Sequence, residues 1–138
     1  MERLDLWFKS ALLFFGGLFS LLVDNFGMPF AILVVVQIAD VITGLMASRK
    51  EGKRWRSAIG IAGFNKKVGL LILIGLVYLI EVNLFGTNAI GGSIATVYIG
   101  MELLSNTENL DRIGVYIHPK IRDFIDVMKG KENKFEKD

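Results

Sequence analysis

The sequence predicts an all-α, polytopic membrane protein: four short transmembrane helices followed by a cytoplasmic amphipathic helix. Three observations predict it. The 138-residue chain is 52% hydrophobic, with a mean hydropathy of +0.47 and only 22% charged residues, greasier than a soluble domain of that length. Four apolar stretches follow one another, on the scale of the roughly 20 residues that cross a bilayer. The basic residues also gather in one connection instead of spreading evenly along the chain.

The first stretch is Leu6–Val23, read as a span although Lys9 interrupts it; a lysine near a helix end snorkels to the interface. An amphipathic helix lying on the membrane is its alternative. Arg3 and Lys9 ahead of an apolar core also resemble a signal peptide, but the run ends in VDNFGMPF without a small-x-small cleavage site, so the segment is expected to be retained. The second stretch is Met28–Ala47, the third Val68–Val82, with Glu81 near its end, and the fourth Gly86–Ser105. Glycine is abundant (15 residues) and proline scarce (2), as where helices pack closely in lipid.

Orientation follows from the connections. Residues 48–67 form a basic loop carrying Arg49, Lys50, Lys53, Arg54, Arg56, Lys66 and Lys67 against the single acid Glu51. A short loop of that kind is cytoplasmic. The other two connections, Asp24–Gly27 and Asn83–Asn88, carry no basic residue and belong outside. Both termini are then cytoplasmic. Trp55 sits among the arginines, a residue favoured at headgroup level, and SAIGIAGF (Ser57–Phe64) is expected to rest at the interface with its basic flanks on anionic lipid.

Residues 106–138 are read as a cytoplasmic amphipathic helix and charged tail. Pro119 suits a first helical position. Ile121, Phe124, Ile125 and Met128 make one apolar stripe, expected to lie on the membrane or against a partner subunit. His118 reads as a turn residue, not a ligand. From Gly130 onward the chain is nearly all charged and is expected to be disordered.

The chemistry-bearing residues are few. On the second helix Gln37, Asp40 and Gly44 share a face, with Thr43 at its edge, in a span otherwise made of Val, Ile and Leu. A charge at mid-bilayer costs about 3 kcal/mol on insertion scales, so this stripe faces other helices or water. A Lys9–Asp40 pair would neutralise both charges. Glu102, in the fourth span, is a second acid in apolar surroundings. Gln37, Asp40, Thr43, Gly44 and Glu102 are therefore the pore or gating candidates. Gly92, Thr96 and Gly100 recur every four residues, a small-residue face that admits a neighbouring helix, and are the oligomerisation candidates.

An enzyme is not expected. Asp40–Arg49 is faintly similar to the aspartate-rich motif of the CDP-alcohol phosphotransferases, but Thr43 stands where a second aspartate belongs and no further Asp follows until Asp111. Clustered carboxylates are what metal-assisted catalysis needs, so neither catalytic residues nor a metal are assigned. No P-loop, HExxH or Gly-x-Ser-x-Gly occurs. The absence of cysteine excludes disulfides and Cys-based zinc sites. A net charge of +2 gives no reason to invoke nucleic acid, and no cofactor is called for.

An ordered series of motifs carries a resemblance. Asp40, Thr43 and Gly44 are followed by Ser48 and Lys50, then by SAIGIAGFNKKV, by YIGMELLSNTEN (Tyr98–Asn109) and by IGVYIHPKIRD (Ile113–Asp123). Over roughly 35–128 the chain resembles the phage holin family that includes the clostridial toxin-secretion holins; the first span lies outside the resemblance. It implies a non-enzymatic protein of the bacterial cytoplasmic membrane that assembles with copies of itself into lesions. These depolarise the membrane and let an endolysin reach the wall, or, in some relatives, release a toxin. A partner antiholin is a further implication, and an antiholin role for this chain stays open. The alternative of another class is a small ion-channel or transporter subunit, against which stands the lack of two homologous halves with broken helices.

Overall fold

A computed structural model describes residues 1–52 and 57–128, excluding the side chains of residues 57–59. It contains five helices and, among the described residues, no strand: α1 (Glu2–Phe26), α2 (Met28–Lys50), α3 (Ser57–Phe85), α4 (Ala89–Arg112) and α5 (Pro119–Met128). Three of them are long and apolar enough to cross a membrane: α1, α2 and Gly60–Phe85 of α3.

Glycines set the corners. α1 and α2 are separated by Gly27 alone, at φ +88°, a backbone state that residues with a Cβ rarely adopt. Pro29 follows in the first turn of α2, where a missing N–H leaves no bond unmade. At the end of α4, Gly114 (φ +94°) donates to Asp111 O at 2.9 Å and Val115 N to Leu110 O at 3.0 Å. That pair of bonds is a Schellman cap, and it turns the chain toward α5.

Element boundaries differ from expectation in one instructive place. Residues 57–67, read as part of the basic loop, are the first turns of α3. SAIGIAGF contains no proline, and away from water the cheapest way to satisfy its backbone is to continue the helix. Lys53, Arg54, Trp55 and Arg56 lie outside the described residues, as does the charged tail from Lys129 on.

α2 and α4 lie side by side and run the same way: Pro29 lies near Gly92, Thr43 bonds Asn106, and Glu51 pairs with Arg112. α3 packs against this pair and runs in the opposite sense. The apolar core occupies the half of this trio toward Gly27 and Gly86. It comprises Phe30 and Leu33 of α2, Ile74 and Tyr78 of α3, and Ala95 and Ile99 of α4. Phe30 stacks on Phe26 and meets Tyr78 edge-on. A Cβ on Gly91 would sit 2.9 Å from the Tyr78 ring, so the α4 backbone lies directly on that ring.

α1 contributes no buried residue. It leans on the trio through Leu22 and Phe26 and diverges from α2 to leave an apolar groove of about 650 Å³. Its exposed apolar surface, on a helix long and apolar enough to cross a membrane, suits contact with lipid. α5 folds back onto α4: Ile125 is buried and Met128 packs on the core, while Ile121, Phe124 and Val127 stay exposed. The expected stripe is thus split, and half of it is covered by the chain's own bundle.

Candidate functional site

Beyond Leu33, Ile74 and Ile99 the interior of the trio changes from apolar to polar. α2 supplies Gln37, Asp40 and Thr43; α3 supplies Lys67; α4 supplies Glu102, Asn106 and Asn109. The α4 residues fall at i, i+4 and i+7, one face of a helix, and that face is turned to α2.

Lys67 stands at the centre. Its ammonium lies 3.1 Å from Asp40 Oδ2 and also pairs with Glu102 Oε2, so one cation faces two carboxylates from two other helices. The side chains are only 24% (Lys67), 12% (Asp40) and 11% (Glu102) exposed. Asn109 Nδ2 donates to the other Asp40 oxygen at 3.0 Å and to Thr43 Oγ1 at 3.1 Å. Thr43 Oγ1 donates to Asn106 Oδ1 at 3.1 Å, and Asn106 Nδ2 donates to Val36 O at 3.2 Å. Arg112 Nη1 donates to Asn109 Oδ1, and its Nε and Nη2 form a two-bond fork on Glu51 at 2.7 and 2.8 Å. The Glu51 carboxylate beside it raises the Arg112 pKa above its ordinary value. A connected polar seam therefore runs from the exposed ends of α2 and α4 to mid-helix.

Among the described residues, two buried side-chain polar atoms have no partner: Gln37 Nε2 and Tyr78 Oη. A cleft of about 450 Å³ opens beside the seam, lined among others by Asp40, Gly44, Ser48, Gly60, Lys67 and Ser105. The opposite end of the trio holds a separate device. The buried Glu81 carboxylate accepts the N–H groups of Ile90 and Gly91 at 2.9 and 2.8 Å and the Thr87 hydroxyl at 2.8 Å. It caps the first turn of α4, where unpaired N–H groups and the helix dipole favour an anion.

The structure brings Asp40, Thr43 and Glu102 into one seam, with Gln37 buried one turn away on the same face of α2 and Gly44 on the adjoining cleft. The expected Lys9–Asp40 pair is not formed: Lys9 is exposed on α1, and Asp40 takes Lys67. The basic-loop reading places Lys67 at the membrane surface with Arg49, Lys50 and Lys66; those three are exposed, whereas Lys67 is half-buried. Lys67 departs from them because α3 begins eleven residues earlier than the loop reading places it. Of the small residues, Gly100 is buried within the subunit, while Gly92 and Thr96 line a shallow cleft with Pro29 and Tyr78. His118 Nδ1 accepts the Lys120 N–H at the start of α5, as suits a turn residue. Asn106, Asn109 and the Glu81 cap escaped sequence reasoning. The spacing of Glu102, Asn106 and Asn109 was the signal for the first two.

Among the described residues no group of three or more His, Asp or Glu side chains is arranged to hold a metal. The seam's capacity is electrostatic: it binds three helices through charges and amides that water would also satisfy.

Comparison with known proteins gives a consistent picture. The model of the bacteriophage holin family matches residues 17–130. An uncharacterized protein of Listeria monocytogenes is 31% identical over 134 residues, covering 94% of this chain and 95% of its own. One from Listeria innocua is 30% identical over 139 residues (98% and 99%), and one from Clostridium perfringens 31% over 135 (96% and 98%). No solved structure matches the chain at a significant level.

Proposed function

The chain belongs to the bacteriophage holin family, and on that premise we propose that it oligomerises in a bacterial cytoplasmic membrane and opens lesions that depolarise it. An endolysin is the functional partner, released through the lesions to the wall; release of a toxin is the same act with another cargo. The observation that carries the reading is the buried polar seam of Asp40, Lys67, Glu102, Asn106 and Asn109. Such groups are costly within a bilayer unless paired or wetted. A protein that keeps them sealed between helices can exchange protein partners for water when subunits rearrange, and two arrangements satisfying the same polar groups make a switch.

The four-span topology with both termini inside belongs to this proposal. α4 alone is diluted by Gly, Ser, Thr and Asn, but it lies parallel to α2 from Gly92 beside Pro29 to Arg112 beside Glu51. That parallel pairing supports placing α4 at the same depth as α2. Arg49, Lys50 and Lys66, with Lys53, Arg54, Trp55 and Arg56, are the proposed contacts with anionic lipid.

Induced expression in bacteria, with a potential-sensitive dye and with or without a co-expressed endolysin, tests the reading. Abrupt loss of potential, with lysis only when the endolysin is present, is the expected result. Full membrane accumulation with intact potential would refute it. A graded ion leak from the onset of expression would favour a channel or transporter subunit, and delayed lysis by another holin would indicate an antiholin.

A further inference from the structure

α3 is held unevenly along its length. Toward Gly86 it is fixed by three buried side chains: Ile74 and Tyr78 in the core and Glu81 on the first turn of α4. Toward Ser57 the pattern reverses. Residues 61–66 are all exposed, and the cleft of about 450 Å³ separates this arm from α2 and α4. Between the two regimes stands Lys67, half-buried, with its ammonium on Asp40 and Glu102. Gly69 follows two residues later, with nothing within 4 Å of where its Cβ would be; a glycine there costs the helix stiffness and serves no packing need.

α2 and α4, by contrast, are joined without help from α3. Thr43, Asn106, Asn109 and the Asp40 backbone bond one another, Asn106 reaches Val36 O, and Arg112 forks onto Glu51. Gln37, one turn from Asp40 on the same face, already keeps an amide without a partner. The α2–α4 pair is therefore a rigid unit with a polar face, and one flank of that face is closed by the arm of α3.

We infer that Lys67 is a latch holding the first turns of α3 against the α2–α4 pair, and that α2 and α4 furnish the polar wall of the opening once it releases. The inference rests on the lesion-forming reading for its consequence but not for its geometry. Release carries the Lys67 ammonium away with α3 and leaves Asp40 and Glu102 beside Asn109, Gly44, Ser48 and Ser105. Two carboxylates stripped of their counter-charge in a low-dielectric interior draw in water. The wall so exposed is acidic and uncharged-polar, with small residues that leave room for water. The anchored half of α3, from Leu70 to Glu81, stays in place and keeps the subunit intact.

The test uses the full chain in lipid vesicles. Nitroxide labels are placed at exposed positions of three helices, Ile42 on α2, Ile61 on α3 and Met101 on α4, and pair distances are read by double electron resonance. Lys67→Met should lengthen the Ile42–Ile61 distance by about 5 Å, a fraction of the ~12 Å arm at 1.5 Å per residue. The Ile42–Met101 distance should not change, and Lys67→Arg, which keeps the charge, should leave both as in the wild type. An unchanged Ile42–Ile61 distance in Lys67→Met, or separation of Ile42 from Met101, overturns the inference. Should Lys67→Met fail to fold, the double variant Asp40→Asn/Glu102→Gln removes the latch from the other side and must produce the same swing. Separation of α3 in vesicles with unaltered potential in cells would uphold the latch and remove the lesion-forming reading, so the two fail separately.

Discussion

Asp40 receives two donors from two different helices, Lys67 Nζ at 3.1 Å and Asn109 Nδ2 at 3.0 Å, so substitutions there separate charge from shape. Asp40→Asn retains a hydrogen-bonding group of the same size and leaves Lys67 with Glu102; it should shift the time of depolarisation while membrane accumulation stays normal. Asp40→Leu strands Asn109 and half of the Lys67 shell. Removing one partner from a buried ion pair costs about 3–5 kcal/mol, and the surviving Glu102 contact softens that loss. The leucine variant should insert, because α2 is strongly apolar, yet fail to open. Immunoblots of membranes beside a dye trace decide it: wild-type timing in Asp40→Leu at equal protein level would reduce the aspartate to a structural residue. Lys9→Ala should leave timing alone, since Lys9 takes no part in the seam. A second residue-scale prediction concerns Tyr78. Its ring carries packing against Phe30 and Gly91, while its hydroxyl is buried without a partner. Leaving a buried polar group unsatisfied costs about 1–3 kcal/mol. Tyr78→Phe should therefore leave stability unchanged or raise it, whereas Gly91→Ala, whose Cβ meets that ring at 2.9 Å, should lower it. Thermal unfolding in detergent measures both.

Among the elements, α2 was legible almost in full: its apolar run and its Gln37–Asp40–Gly44 face are local patterns, and burial of Gln37 and Asp40 follows from period and cost alone. α3 was not, because the start of a helix between basic flanks depends on what surrounds it, and SAIGIAGF carries no pattern separating helix from interfacial loop. That single boundary hid the partner of Asp40. Long-range pairing is not written in spacing: depth alone points to Lys9 and leaves Lys67 at the membrane surface, and only packing brings Lys67 to Asp40. α5 shows the same limit, since its stripe announced a buried face but not that α4 would cover it. On α4 the small residues now separate into two roles. Gly100 is buried inside the subunit, whereas a Cβ on Gly92 meets Tyr78 Oη at 3.5 Å and Pro29 Cγ at 3.9 Å, ordinary contact beside a cleft. Gly92 and Thr96 remain our proposed subunit contact. Gly92→Leu should therefore cut crosslinked oligomers in membranes while the subunit still folds, and Gly100→Leu should destabilise the subunit itself. Unchanged crosslinking ladders and lysis timing in Gly92→Leu would return this face to lipid.

For the whole molecule the relation among helices constrains topology more tightly than hydropathy does. α2 and α4 run parallel and in register, α3 runs against them, and the polar residues of all three meet at one level. Counted along α2 at 1.5 Å per residue, Asp40 lies about 18 Å from Met28, and along α4 Glu102 lies about 20 Å from Ala89. A bilayer with a hydrocarbon core of about 30 Å that begins near Gly27 and Gly86 would thus hold the apolar core in its outer half and the seam in its inner half. That placement sets the exposed Arg49 and Lys50 at the cytoplasmic headgroups, in accord with the positive-inside rule. It also predicts which positions an impermeant reagent reaches in intact cells. Single cysteines in place of Asn25 and Asn88 should label from outside; cysteines in place of Lys53 and Lys134 should label only after permeabilisation. Labelling of Lys53→Cys in intact cells would invert the bundle. Outside labelling at Lys134→Cys, with Lys53→Cys protected, would mean that α4 does not cross; the parallel pairing with α2 would then have to break in the membrane, and with it the seam.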